Sequence, residues 1–301
     1  MAYAVITLDW VYMDSLKLDN NCIAAASRWD LYFGKEQASS SWVWWKEQAI
    51  INYLGKLICG EFCTRVEDLS IFGIKKHCAA DVPFEHGLSV GCGVGYKEIA
   101  LLQSGIVKYF TLYDISQEAL HQAHIRAEKA GVEDAVRLVC ADAFQDERGK
   151  FDLVYWDNAL HHMMDVYVAL AWSRGRLKRG GTLILNDFVG PTRFQWDEKW
   201  LTASNNALKL FNAPPICKPD PKTVEKDDPS EAADSGRIKE AFLRYFPDVL
   251  WIPMGGALYF AGFTGKSVTF TPNSIVKMIG LDARLNAAGI YAYAFAVAKK
   301  A

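Results

Sequence analysis

The chain has 301 residues, 51% of them hydrophobic and 23% charged. That is enough for one large α/β domain with insertions or for two modest domains, each around a real core. The formal net charge is −2 and no run of Lys or Arg exceeds two residues, which argues against a nucleic-acid partner. No apolar stretch approaches the ~20 residues of a membrane span, so no membrane partner is expected. The segment MAYAVITLDW has no basic start and meets Asp9 early, so it does not read as a signal peptide. The seven cysteines (Cys22, Cys59, Cys63, Cys78, Cys92, Cys140, Cys217) contain no C-x-x-C pair. They read as reduced packing residues of a cytoplasmic protein rather than as disulfides or metal ligands.

In chain order, residues 1–83 form an aromatic, helix-like region, expected to act as a lid or cap. Trp42, Trp45, Ala49, Ile50, Tyr53 and Leu57 recur at helical spacings, with Ser41 as a candidate cap. From residue 84 to the end, strands and helices alternate. HGLSVG is a strand, YKEIALLQSG a helix and KYFTLYD a strand. The next helix is capped by Ser116 and stopped by Gly131. VRLVCAD, FDLVYWD and TLILND read as further strands, with a helix over DVYVALAWSRGRLKRGG. Repeated βα units predict a doubly wound, Rossmann-like parallel sheet, with ligands beyond the carboxyl ends of its strands. Residues 188–247 break this rhythm as an insertion after the fifth strand. Its Pro/Lys/Asp-rich stretch APPICKPDPKTVEKDDPS is expected to stay unburied and mobile. VLWIPM and ALYFAGF form one strand or two around Gly255-Gly256, and IYAYAFAVAKK is a closing strand inside the sheet.

The most informative segment is GLSVGCGVG, with Gly91, Gly93 and Gly95 at the end of the first strand of the series. Glycines there let a ligand lie against bare backbone. In a dinucleotide site the third glycine falls three residues after the second. Here it falls two residues later, and Tyr96 takes the packing position. Such a loop suits a nucleoside joined to an amino acid, as in S-adenosylmethionine. Asp114 ends the next strand, where a carboxylate can accept both ribose hydroxyls; helix capping is its ordinary alternative. Asp142 ends the third, within reach of an adenine amine, or serves as a turn residue.

The series GLSVGCGVG, LYDIS, CADAF, FDLVYWDNALHHM and GGTLILND resembles the class I S-adenosylmethionine-dependent methyltransferases, and the continuation NDFVGPTRFQW, DPSEAADSGRIKEAFLRYFPDV and the Gly-Gly after the next strand is similar to a bacterial subgroup of them acting on small molecules. The resemblance covers about residues 85–190 and the last strand. It implies a seven-stranded sheet, mostly parallel, with the last strand antiparallel. It also implies S-adenosylmethionine contacts from Gly91, Cys92, Gly93, Gly95, Asp114 with Ile115, Asp142 with Ala143, and Asp157 with Asn158. Many members carry an acid two residues before the first glycine. Ser89 stands there, so compensation from elsewhere or weaker cofactor binding is expected.

Methyl transfer needs alignment, water exclusion and, for a hydroxyl acceptor, loss of one proton. His161 and His162 follow the fourth strand and are the candidate bases, with structural roles as their alternative. Asp187 is a further acid or base candidate. Trp45 and Arg193 are candidate acceptor-binding residues, Arg193 for an anionic or polyhydroxylated molecule. Trp42, Trp44, Trp156, Trp196 and Trp200 lie in segments near the predicted mouth and serve either as walls or as packing. The run WDNALHH lacks the Asn/Asp-Pro-Pro-aromatic pattern of enzymes that methylate planar amino groups, which points away from nucleic-acid bases. No resident metal is expected, and a homodimer stays open. The favoured reading is O-methylation of a natural-product or sugar hydroxyl. N-methylation of a small molecule or peptide, a nicotinamide-dependent oxidoreductase and a non-catalytic cofactor-binding protein remain as alternatives.

Overall fold

The computed structural model describes residues 11–12, 20–33, 41–146, 148–266 and 268–301. Residues 1–10, read above against a signal peptide, and the side chain of Cys22 lie outside the described residues. Strand β1 (Val11–Tyr12) is followed by α1 (Asn20–Phe33), α2 (Gln48–Ile58) and α3 (Val66–His77). The alternating series then runs β2 (Phe84–Val90), α4 (Tyr96–Gln103), β3 (Val107–Asp114), α5 (Gln117–Ala130), β4 (Val136–Cys140), β5 (Phe151–Asp157), α6 (Val166–Arg176) and β6 (Leu177–Phe188). Beyond it lie α7 (Glu198–Lys209), α8 (Pro221–Asp227), α9 (Ile238–Tyr245), β7 (Leu250–Gly255), α10 (Pro272–Ala287) and β8 (Tyr293–Lys299).

The described strands join one sheet in the order β1-β4-β3-β2-β5-β6-β8-β7. Seven are the expected strands; the eighth, β1, adds two residues beside Leu138 and Val139 at the outer edge of β4. Only β8 runs antiparallel to its neighbours, β6 and β7. It is buried on both faces, since all six residues from Tyr293 to Ala298 are apolar and helices cover both sides. Tyr293, Phe295 and Val297 face the side covered by α2, α3, α4, α5 and α10, whereas Ala296 and Ala298 face α6 and α9. The chain winds outward one way from β2 through β3 and β4, and the other way from β5 through β6. The carboxyl ends of β2 and β5 therefore open a crevice at the point where strand order reverses.

Local chemistry explains where the elements depart from expectation. The Trp42 backbone pairs with the 265–266 segment, donating to the Lys266 carbonyl at 3.0 Å and accepting from Gly265 N–H at 2.9 Å. That holds Trp42 in an extended pairing, so α2 begins at Gln48 with Glu47, not Ser41, at its N-cap position. Ala257–Thr264 coils rather than forming a second strand, because the Asp282 carboxylate on α10 accepts the N–H groups of Gly256 and Leu258 at 3.1 and 2.8 Å. The Pro-rich stretch of the insertion is anchored, with the Asn205 amide bracketing the backbone of buried Ile216 at 3.0 and 2.7 Å. Ser116 caps α5 as expected, its hydroxyl accepting Ala119 N–H at 3.0 Å. Among the described residues no helix is long and apolar enough to cross a membrane.

Candidate active site

A cavity of about 820 Å³ opens at the crevice between β2 and β5, towards the upper end of the about 300–1,000 Å³ typical of small-molecule sites. Its floor is the loop after β2. Gly91 and Gly93 adopt φ of 65° and 53°, and a Cβ on Gly91 would lie 3.0 Å from that of Ala159. The loop is held down by β3: Gly91 N–H donates to the Tyr113 carbonyl at 2.8 Å, and Gly93 N–H donates to Asp114 Oδ2 at 2.7 Å. The other Asp114 oxygen accepts Ser116 N–H at 2.8 Å. Burial pulls the Asp114 pKa upward, against these two N–H groups. Ile115, Asp142, Ala143, Asp157 and Asn158 line the same cavity, as do Gly91, Cys92, Gly93 and Asp114. Gly95 does not; it opens α4 at φ 63° and packs its Cα against Ala123, where a Cβ would sit 3.2 Å from Ala123 Cβ.

Two polar clusters shape the floor. Asp157, ending β5, accepts from Asn158 Nδ2 at 3.1 Å and pairs with Lys97 through Oδ1. Through Oδ2 it accepts from Tyr155 at 2.5 Å, Asn186 at 3.0 Å and Ser70 at 3.4 Å. Beside it, the Ser89 hydroxyl donates to Glu98 Oε1 at 2.7 Å, and both residues are buried. Burial pushes the Glu98 carboxyl up to about 7. Lys97 and Glu98 were not singled out from sequence. An acid in a first helical turn ordinarily reads as a partner of the helix dipole, and only tertiary packing turns it inward.

The two histidines separate in role. Asp187 is fully buried and accepts the N–H groups of Ala159, Leu160 and Phe188 at 3.0, 2.7 and 2.7 Å, with His161 Nδ1 at 2.5 Å. It thus sets the 159–161 loop instead of facing the cavity. Burial alone would lower the His161 pKa, but Asp187, Glu231 and Asp228 hold it above its usual value. His161 does not line the cavity; His162 does. Burial and the neighbouring His161 push His162 down to about 3. Its Nδ1 lies 3.1 Å from Ser230 Oγ, whose own proton goes to Asp228 at 2.7 Å. Ser230 must therefore accept from His162, which leaves Nε2 as the free lone pair. His161, His162 and Glu231 bring one potential ligand atom each within 4.8 Å of one another, a cluster able to hold a cation or share a proton.

The cover of the cavity comes from α1, which contributes Ala25 and Trp29. Trp29 meets His162 edge-on at 5.3 Å, Asp30 accepts Ser116 Oγ and Glu118 N–H at 2.6 and 3.1 Å, and Arg28 pairs with Asp228 at 3.2 Å. The other described tryptophans are not in the wall. Trp45 is 44% exposed and packs its edge on Trp44, so it does not meet the acceptor expectation. Trp42 packs on Phe270, Trp156 donates to Ser173 in the core, and Trp196 stacks on Trp200 at 4.0 Å. Arg193 is likewise committed elsewhere. At φ 52° it donates to the carbonyls of Asp228, Pro229 and Glu231 at 3.3, 2.6 and 2.8 Å, so it shapes the loop that carries Ser230.

A methyltransferase-domain family model matches residues 88–185. The chain is 35% identical over 104 residues to the 27-O-demethylrifamycin SV methyltransferase of Amycolatopsis mediterranei, a match covering 34% of this chain and 38% of that protein. It therefore spans well under half the length of that relative. It is 31% identical over 147 residues to an uncharacterized methyltransferase of Mycobacterium bovis, covering 46% of this chain and 72% of the relative. In fold it is similar to the Haemonchus contortus phosphoethanolamine N-methyltransferase 2 bound to phosphomonomethylethanolamine and S-adenosylhomocysteine. That likeness has a TM-score of 0.50 and 15% identity, covering 90% of this chain and 60% of the other. The glycine cradle with a carboxylate ending each neighbouring strand, the strand order and these matches lead to one conclusion: the chain belongs to the class I S-adenosylmethionine-dependent methyltransferases.

Proposed function

We propose that the protein methylates an uncharged small molecule, at a hydroxyl of a natural product or sugar, with S-adenosylmethionine as methyl donor. The observation that carries this reading is the mixed lining of one cavity. The lining combines the glycine-loop backbone and carboxylates with an apolar set formed by Trp29, Met163, Met164 and Val168. The residues present fit the cofactor: Gly91 leaves the space that a Cβ would fill, and Asp114 and Asp142 offer acceptors to a nucleoside. When bound, S-adenosylmethionine supplies an activated methyl group. Asp114 would bind the ribose, Asp142 with Ala143 the adenine, and Asp157 with Asn158 would border the methionine end.

The acceptor's hydroxyl would be oriented by His162 Nε2, the lone pair that Ser230 leaves free. A base with a pKa near 3 is weak, but a hydroxyl becomes a strong acid as its oxygen gains a methyl group, so a weak, well-placed base suffices. His161 then acts behind His162, within reach of Glu231 at 4.0 Å. Among the described lining residues the one lysine or arginine is Lys97, held by Asp157, so nothing there welcomes an anionic acceptor. The lining acids Asp165 and Glu225 favour a second reading, an amine acceptor and N-methylation.

The test has two stages. Calorimetry should show S-adenosylhomocysteine binding and no NADH binding; the reverse would make the protein an oxidoreductase. Labelled cofactor should then methylate neutral hydroxyl acceptors in a panel that also holds amines and carboxylates. Methylation confined to amines would replace the hydroxyl reading by the second one. Cofactor binding without any transfer would leave a non-catalytic binding protein.

A further inference from the structure

The methionine part of S-adenosylmethionine carries an ammonium group, and a carboxylate nearby stabilises an ammonium drawn out of water. Among the described residues six carboxylates line this cavity: Glu98, Asp114, Asp142, Asp157, Asp165 and Glu225. Of these, four are already engaged by other groups and one stands on an exposed face. Asp157 already receives five donors through its two oxygens. Asp114 holds Gly93 and Ser116 on the nucleoside side, and Asp142 caps the 143–145 turn through Phe144 N–H at 3.0 Å. Asp165 caps α6, and Glu225 stands on the exposed face of α8.

Glu98 differs from all of these. It is 3% exposed, it lines the cavity, and the side chain that donates to it is Ser89, two residues before Gly91. We propose that Glu98, presented from α4 by the Ser89 hydroxyl, supplies the carboxylate for the cofactor's ammonium group, in place of an acid at position 89. The inference rests on the S-adenosylmethionine reading and adds to it a binding residue that lies outside the glycine motif. A hydroxyl at position 89 is what this arrangement requires. A second carboxylate 2.7 Å from the first would repel it, whereas a hydroxyl fixes its direction.

The arrangement carries a pH signature. The groups facing Glu98 are Lys97 on its own helix, Asp157 and Tyr155 on β5, and Ser89 and Cys92 on and after β2. Only the ionised carboxylate attracts an ammonium group, so affinity should rise as Glu98 ionises around pH 7.

The experiment compares two ligands by calorimetry: S-adenosylhomocysteine, which has the ammonium group, and 5′-methylthioadenosine, which lacks it. Glu98→Gln should weaken S-adenosylhomocysteine by about 10- to 100-fold and leave 5′-methylthioadenosine within about twofold. The same substitution should remove the rise in S-adenosylhomocysteine affinity between about pH 6 and 8 that Glu98 would produce. Moving the acid back across the hydrogen bond, with Ser89→Asp added to Glu98→Gln, should restore part of the loss. Unchanged S-adenosylhomocysteine affinity, or equal loss for both ligands, overturns the proposal while the cofactor reading stands. A wild-type protein that binds 5′-methylthioadenosine and S-adenosylhomocysteine equally well overturns it too. Failure of the wild type to bind either ligand overturns both.

Discussion

Replacing Asp187 by Asn tests whether one buried carboxylate organises the catalytic loop. Asp187 is fully buried and accepts four hydrogen bonds, two per oxygen: Ala159 and Leu160 on one, His161 and Phe188 on the other. The amide of Asn presents one acceptor oxygen and one donor NH₂, so whichever way it lies it turns two N–H groups against another donor. Hydrogen bonds to a charged acceptor are worth about 1.5–3 kcal/mol each, so the loss is about 3–5 kcal/mol, the range also found for breaking a buried ion pair. The pH dependence follows from His161, whose folded pKa is held above its unfolded value chiefly by Asp187 against the pull of burial. Such a group stabilises the fold fully below the unfolded pKa of about 6.5, and loses that contribution as pH rises through the folded pKa. Urea unfolding should therefore find the variant weakened at all pH values, with a larger deficit at pH 6 than at pH 9. A deficit under about 1 kcal/mol, or one independent of pH, would refute the role assigned to this carboxylate.

Three further outcomes are expected. Asp114→Ala should cost about 1–3 kcal/mol of S-adenosylhomocysteine binding by calorimetry, and unchanged affinity would remove Asp114 from the nucleoside site. Arg193→Ala frees the Asp228–Glu231 loop from its three carbonyl contacts, so KM for the acceptor should rise severalfold while cofactor affinity holds; a parallel loss of cofactor affinity would contradict that division. Glu98→Gln removes a carboxyl whose folded pKa is raised from 4.5 to about 7 by burial. In the wild type its stabilising contribution is present below the unfolded pKa and disappears as pH rises through 7. The variant should therefore gain on the wild type by up to about 3 kcal/mol between pH 4.5 and 8 in thermal or urea unfolding, and no relative gain would contradict the buried, paired setting.

What the amino-acid sequence determined by itself is what short-range chemistry controls. The order of strands and helices, the Ser116 cap, the glycine turn after β2 and the acids ending β3 and β4 each depend on residues within one βα unit. The apolar residues on both faces of β8 likewise identify a strand inside the sheet. The direction of a side chain and the company it keeps depend on segments far apart in the chain. Trp29 and not Trp45 covers the cavity because Asp30 and Arg28 tie α1 to α5 and to Asp228. Arg193 is consumed by carbonyls some 35–38 positions away, and His162 owes its free nitrogen to a serine 68 positions away. Glu98 shows the division most sharply. The sequence places it as an ordinary first-turn acid, and only the packing of α4 beneath the glycine loop buries its carboxylate against Ser89, where burial, and not residue type, decides what it can bind.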